Sequence, residues 1–561
     1  MATQSGAARP GSTPLHARGA GTRRATAMAR GGMVATNHPL ATAAGLWALQ
    51  RGGNATDAAL AAAGVCAVVL PAMCGLGGDC FILHYDAKTG NVTSVNGSGA
   101  APMAATPDAY RERGHIAQMP LDGPLSVGVP GSVHAWYTAS ERWGAIEMRD
   151  LLRPAEEYAR QGFPLTPDGA YITATEMDRL RVQPGAAAKT FLQDGRTAPH
   201  TGQLLRNEPL ADTLHLLRRG GAKAFYTGET AAKIGAWMAK NGGLLTTDDF
   251  ARHRSEIAPA LATTYRGHTV YTNPPVSQGI ILLAMLNILA STDFASHGPN
   301  MPDTLHLMIE AKKLAFADRN RYAGDPAFVD VPLSRFLNPA HGARQYLTID
   351  AQHARTEDPA AAILPDAGGD TTYLCAVDGK GNAVSLIHSI SAAFGSGCMV
   401  PGTGVLLNNR VGRGFTLQPG HPNVLAPGKR TMHTLLSYII TRPDGLLALV
   451  GGTPGGDGQP QWNAQAITNI LDFGLSPQEA AEAPRWRSTP GTDPATLRQA
   501  YAVQVEADMP EKTVAALRRL GHIVRIVPSG SAGSAMQLIA RENGISYGGS
   551  DPRTEGIVLG I

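Results

Sequence analysis

The sequence predicts an α+β protein, and three stretches carry that prediction. Residues 370–391 hold two runs of β-branched and apolar residues around Asp378-Gly379-Lys380-Gly381-Asn382, which is a β-hairpin signal. Phe81-Ile82-Leu83-His84-Tyr85 is an apolar strand entered from a glycine-rich loop, Cys74-Gly75-Leu76-Gly77-Gly78-Asp79-Cys80. Across residues 306–322, Leu307, Glu310, Ala311, Leu314, Ala315 and Asp318 recur at helical spacing and send their apolar members into a core.

The remaining elements follow in order. Residues 33–41 read as a short strand leading into a helix over 43–49 that stops at Gly52-Gly53. Asn54 then N-caps a second helix. A nucleotide-binding loop follows a strand and opens a helix; the loop at 74–80 precedes a strand, so it predicts close backbone packing rather than a phosphate cradle. With 43% hydrophobic and 17% charged residues, the 561-residue chain can bury a large core in one unit or two closely packed ones.

Composition excludes several function classes. Lys and Arg number 48 against 45 Asp and Glu, so no bulk charge draws the chain to nucleic acid or an anionic membrane. The five cysteines, Cys66, Cys74, Cys80, Cys375 and Cys398, have no zinc spacing, and their odd number argues against a disulfide framework. Residues 58–73 are interrupted by Pro71 and residues 279–290 are short, so neither predicts a membrane span. Residues 1–30 carry Arg9, Arg18, Arg23, Arg24 and Arg30 with no acid and no apolar run, which predicts a disordered extension and a cytoplasmic protein.

The chemistry centres on Asp370-Thr371-Thr372. A threonine hydroxyl needs a neighbouring base to act as a nucleophile, and the residue's own α-amino group, titrating near ~8, can serve. Only scission between Asp370 and Thr371 exposes that amine. A Thr-Thr pair alone is equally the start of a β-branched strand. The context decides: Thr-Thr, a strand, Asp-x-x-Gly-Asn, a strand, Phe394-Gly395-Ser396-Gly397 and Gly404-Val405-Leu406-Leu407-Asn408-Asn409 occur in that order.

In that order the chain resembles the γ-glutamyltranspeptidase family of N-terminal-nucleophile hydrolases. The similarity extends from about residue 31 to the end, through Gly52-Gly53-Asn54-Ala55-Thr56-Asp57, Asn273-Pro274-Pro275-Val276-Ser277-Gln278-Gly279 and the ending Tyr547-Gly548-Gly549-Ser550-Asp551-Pro552-Arg553. The resemblance implies a four-layer αββα sandwich built from two fragments of one precursor, a large subunit over 31–370 and a small subunit over 371–561. It implies Thr371 as nucleophile, with Ser389 supporting its oxygen, and Gly455 and Gly456 as the oxyanion hole.

Departures from the family pattern bear on the substrate. Ser98 stands where γ-glutamyl enzymes hold the substrate carboxylate with arginine, and Ser391 replaces an asparagine at the amino-acid end. Arg410 and Arg413 replace acidic residues that would pair with a substrate ammonium, a reversal that favours a carboxylate. His433 and Thr434 map to two serines near the substrate. The pattern is similar to the oxamate amidohydrolase-like branch. The expected activity is hydrolysis of the amide of a small carboxylate-bearing acyl group, with no metal or organic cofactor required. The partners are then a small-molecule amide and the two subunits, with a homo-oligomer of heterodimers open. The alternatives are γ-glutamyl transfer or glutathione hydrolysis, and an unprocessed, non-catalytic scaffold.

Overall fold

Side-chain alternation along one central strand sorts the molecule into layers. Asp370–Asp378 pairs antiparallel with Ala383–Ser391 on one side and with Gly32–Thr36 on the other. In a computed structural model describing residues 22–116, 118–356, 370–491 and 501–561, this strand lies inside a seven-stranded sheet. That sheet runs Ile557–Gly560, Gly32–Thr36, Asp370–Asp378, Ala383–Ser391, Asp79–Tyr85, Val92–Gly97, Glu256–Pro259. A second sheet of seven runs Ala27–Ala29, Ile545–Ser550, Gln537–Glu542, Leu447–Gly452, Tyr438–Thr441, His268–Thr272, Leu261–Tyr265.

Tyr373, Cys375 and Val377, with Phe81, Leu83 and Tyr85, meet Ile439, Val450 and Ile539 of the second sheet. The intervening Leu374 and Ala376, with Ile82, Val384 and Leu386, turn to the opposite face. There they meet the helices Pro39–Gln50, Ala55–Val69 and Ser132–Trp143. Behind the second sheet, Gly279–Leu289, Pro302–Tyr322 and Gly458–Leu471 cover Val270, Ile440, Leu449 and Leu538. The order is helix, sheet, sheet, helix, so the expected sandwich is the fold.

Local chemistry explains the helix starts. Asn54 Oδ1 accepts from the amides of Thr56 (2.8 Å) and Asp57 (3.2 Å), and Asp57 Oδ2 accepts from Asn54 N at 2.8 Å, a reciprocal cap. His38 caps the preceding helix, its Nδ1 accepting from Leu40 N at 3.2 Å.

Two expectations are corrected. Residues 22–30 are not a disordered extension: Ala27–Ala29 forms an edge strand against Ile545–Ser550. Arg24 donates to the carbonyls of Asp551, Thr554 and Gly556, and the Arg23 and Arg24 amides bond to Glu482. Residues 1–21 of the expected extension and residues 358–369, the expected linker, lie outside the described residues. The helix expected over 306–322 begins at Pro302 and is buried on nearly every side. Lys312, Lys313 and Arg319 go inward with it, because Lys313 pairs with Glu310 at 2.7 Å and Arg319 with Asp457 at 3.2 Å.

All five cysteines are buried and unpaired. Among the described residues, no helix is long and apolar enough to cross a membrane.

Burial also leaves a titration signature. It holds His38, His84 and His421 down at about 4, and His388 and His522 at about 3. In the unfolded chain imidazoles take up protons near about 6.5. The unfolded state therefore binds more protons between those values, so this part of the stability is present above that pH and is lost as pH falls toward 3–4. Melting temperature should drop steadily from pH 7.5 to 4.5 (about the window in which imidazoles titrate), and His388→Leu should make the drop shallower. A flat profile in the wild type would contradict this.

Candidate active site

The Asp370–Thr371 bond sits at an irregularity in the sheet. Asp370 is opposite Ser391 and Thr372 is opposite His388, so the Ala383–Ser391 strand carries an extra residue at this point. Alternation from Tyr373 places Thr371 at the end of the strand, on the face turned to the second sheet and across from Ser389, just before the bulge, with 2% of its surface exposed. Thr371 Oγ donates to Ser389 Oγ at 3.1 Å, and the same Ser389 oxygen accepts from Ser391 N at 2.8 Å. Ser391 holds φ at +88°, a left-handed conformation that a non-glycine residue adopts only where its surroundings enforce it.

The enforcement comes from close backbone packing. A Cβ on Gly78 would collide with the Ser389 carbonyl, so only glycine lets the 74–80 loop lie against the strand. Asn409 clamps the far side: its Oδ1 accepts from Ala392 N at 3.0 Å and its Nδ2 donates to Leu121 O at 2.8 Å. Asn408 bonds to both the carbonyl and the amide of Gly128 (3.0 Å each) and receives Arg410 N at 3.0 Å. The two asparagines therefore aim the short helix Arg410–Gly414 at the site.

Asp79 stands directly across from Ser389 in the strand register, on the same face of the sheet. It is fully buried, and its carboxylate receives Arg410 Nε at 3.0 Å and Gly99 N at 2.7 Å. Burial pushes the Asp79 carboxyl up, against the opposing pull of the Arg410 guanidinium and the Gly99 amide. Arg410 Nη2 is buried and has no hydrogen-bond partner among the described residues. Arg413 lies three residues on in the same helix and is partly buried.

His433 is fully buried beside this pair, edge-on to Phe81 with ring centroids 5.1 Å apart. Burial first, then the charges of Arg410 and Arg430, hold it far below the usual imidazole range, so it is neutral. Gln278 Nε2 joins two predicted segments, donating to Thr434 O and, at 3.0 Å, to Gly456 O. Gly455 and Gly456 have φ of +116° and +55°, and a Cβ on Gly455 would strike the Trp462 ring. Ser98 is placed differently from the expectation for a substrate contact: its hydroxyl donates to Asn96 Oδ1 at 2.6 Å and its carbonyl receives Arg430 Nε at 3.0 Å.

Thr371 also forms part of the wall of a cavity of about 320 Å³, shared with Pro454, Asn37, Met73, Ile172 and Ser534. Below it lies a buried ionic network: Asp551 with Arg485 (3.3 Å) and Arg553 (3.0 Å), and Arg553 with Glu506 (2.5 Å). Elsewhere, His306, Glu310 and His522 bring potential metal-ligating atoms within 4.8 Å of one another. Protein partners already use these atoms: the two imidazoles hydrogen-bond at 2.8 Å, His306 Nε2 bonds to Asp350 O at 2.8 Å, and Glu310 holds Lys313.

Sequence reasoning missed Asp79 and Gln278 as parts of this site. Both lie in motifs it singled out, and only the strand register and the cross-chain hydrogen bonds reveal their partners.

A family model described as gamma-glutamyltranspeptidase matches residues 41–561. The chain belongs to the gamma-glutamyltranspeptidase family. Within it, the chain is 38% identical to the Glutathione hydrolase-like YwrD proenzyme of Bacillus subtilis, over 94% of this chain and 98% of that relative. It is 35% identical to the Oxamate amidohydrolase proenzyme of Klebsiella pneumoniae, with the same shares covered. Among solved structures, a cephalosporin acylase from Bacillus halodurans superposes with a TM-score of 0.88 at 37% identity, covering 97% of this chain and 98% of that one. Family members thus share one sandwich while their names carry different substrates, which puts the weight of any substrate argument on the side chains around Thr371.

The Asp79–Arg410 pair makes a stability prediction of its own. Arg410→Ala leaves a buried carboxylate without its counter-charge and should cost about 3–5 kcal/mol in urea denaturation. The double substitution Asp79→Asn with Arg410→Gln should recover most of that loss; equal destabilisation by both variants would show that the pair is not the cause.

Proposed function

We propose that the chain cuts itself between Asp370 and Thr371 and then hydrolyses the amide of a small carboxylate-bearing acyl group through a Thr371 acyl-enzyme. The observation that carries this reading is the Thr371 hydroxyl, held 3.1 Å from Ser389 at a strand bulge and open to a cavity. In the first reaction Thr371 Oγ attacks the Asp370 carbonyl, the peptide becomes an ester, and water releases a new amino terminus. In the second, that amine takes the hydroxyl proton as Oγ adds to the substrate carbonyl. The amides of the Gly455–Gly456 loop stabilise the oxyanion, the amine departs with a proton, and water frees the acid.

Support for an acidic acyl group comes from Arg410. Its charge is answered by Asp79, so what it offers is a directional donor, Nη2, at a buried position one strand from Ser389. A neutral His433 beside it adds no competing charge. Ser98 and Ser391 lack the reach to hold an α-amino acid end, which disfavours the γ-glutamyl alternative.

Scission would not separate the fragments. The small subunit's Leu374–Asp378 would stay paired with Gly32–Thr36 of the large one, and Leu261–Tyr265 and His268–Thr272 of the large subunit would stay in the other sheet. A panel of oxamate, glutaryl, γ-glutamyl and aromatic acyl amides should show turnover of the carboxylate-bearing amides without an α-amino group. Thr371→Ala should run as one intact band and lose activity by roughly 10⁶-fold, the scale on which losing a serine nucleophile acts. Ser389→Ala should slow both reactions by roughly ten-fold, as loss of one hydrogen bond does, while Ser389→Thr retains them. Preferred turnover of the γ-glutamyl amide would transfer the case to the alternative, and an active Thr371→Ala would refute the nucleophile.

A further inference from the structure

Strand order divides the surroundings of Thr371 into two flanks. Ala383–Ser391 and Asp79–Tyr85 lie on one side of the Asp370–Asp378 strand, Gly32–Thr36 and Ile557–Gly560 on the other. The second sheet keeps the same division. His433 packs on Phe81 on the first flank, and Gln537 Nε2 donates to Asn37 Oδ1 at 3.0 Å on the second. Arg410 and Asp79 belong to the first flank; the 320 Å³ cavity has Asn37, Ser534 and Arg553 of the second in its wall, and its other side is closed by Ala72 and Met73, whose carbonyls accept from Phe394 N and Ile390 N.

An amide whose carbonyl carbon rests at Thr371 Oγ has two arms, and the cavity that opens on Thr371 has neither Asp79 nor Arg410 in its wall, so the two offer separate places for them. On the reading given above, the acyl carboxylate goes toward Arg410. We infer that the cavity on the Gly32–Thr36 side seats the leaving amine, and that this amine has an apolar body and a far end bearing a positive charge rather than a carboxylate. The inference rests on that assignment of the acyl arm and adds the other half of the substrate.

The cavity's dimensions and lining carry it. A volume of about 320 Å³ falls at the lower end of small-molecule sites, roughly 300–1,000 Å³. Ammonia, the amine that oxamate releases, would leave it empty. Its wall is mainly hydrocarbon: Leu70 and Met73 follow the helix Ala55–Val69, and Tyr171 and Ile172 project from the helix Pro167–Thr175. Two acids, Asp168 and Glu555, also line it: Glu555 Oε1 accepts from the Asp168 amide at 2.9 Å, and burial with the neighbouring Glu555 charge pushes the Asp168 carboxyl up. The cation in the same wall, Arg553, is already matched by Glu506 and Asp551. The rim therefore carries excess negative charge, which attracts an ammonium and repels a carboxylate.

Binding of the amine alone tests this without turnover. The probes are 4-(aminomethyl)aniline, aniline and 4-aminobenzoate, titrated calorimetrically into the purified wild-type protein. The diamine should bind ~10-fold or more tighter than 4-aminobenzoate, about 1.4 kcal/mol. Ile172→Trp, which fills the cavity from a half-buried position, should weaken all three by at least ~10-fold, and Asp168→Asn with Glu555→Gln should erase the charge preference while leaving aniline unaffected. Equal affinity for the three probes, no binding at millimolar concentration, or binding indifferent to Ile172→Trp would overturn the inference. A failed acyl panel would sink the proposed hydrolysis instead, because these affinities do not depend on it.

Discussion

The hydrogen bond between Thr371 and Ser389 follows from the strand register: Thr372 opposite His388 sets Thr371 across from Ser389, one step before the two strands fall out of step at Asp370 and Ser391. Period-two alternation turns the Thr371 side chain, like Tyr373 and Cys375, to the seam between the two sheets, where it meets a cavity. Much of the surrounding structure serves to hold the strand end in place. Gly78 admits its loop against the Ser389 carbonyl, Ser391 accepts a left-handed backbone, and Asn409 ties the chain beyond the bulge to Leu121. A Cβ at position 78 would remove the arrangement.

The electrostatics around the seam are those of compensated charge. Asp79 with Arg410, Arg319 with Asp457, and Asp551 with Arg485 and Arg553 are buried pairs within or beside the site. Such pairs contribute little net stability but fix geometry, since removing one partner strands the other. The charge of Arg410 is therefore answered locally by Asp79, which leaves it a directional donor, Nη2, rather than a long-range field. The argument from charge reversal is incomplete for Arg410, because the acid that balances it lies 331 positions earlier in the chain.

What was legible in the sequence follows from range. The hairpin signal over residues 370–391, the Asn54 cap and the glycine-rich loop at 74–80 are local facts, and local facts give the paired strands, the helix start and the packing beside Thr371. The family's motif order adds the sandwich. Residues 22–30 were unreadable because Arg24 is held by carbonyls more than five hundred positions away, and an acid-free, arginine-rich start looks solvated until those partners are known. The inward course of Lys312 and Lys313 also rests on partners outside the local pattern: Lys312 donates to Pro490 O, while Lys313 reaches Glu310 on its own helix and the Arg355 carbonyl. Ser98 was assigned by position in a motif, and only geometry shows its hydroxyl turned to Asn96.

The account depends on one covalent event, the exposure of an amine at position 371 beside the hydroxyl it activates. Intact-mass analysis and N-terminal sequencing of the purified, active protein test it most directly. The prediction is two polypeptides in equal amounts, the shorter beginning Thr371-Thr372-Tyr373. Full activity in a preparation whose backbone runs unbroken from Asp370 to Thr371 would contradict it.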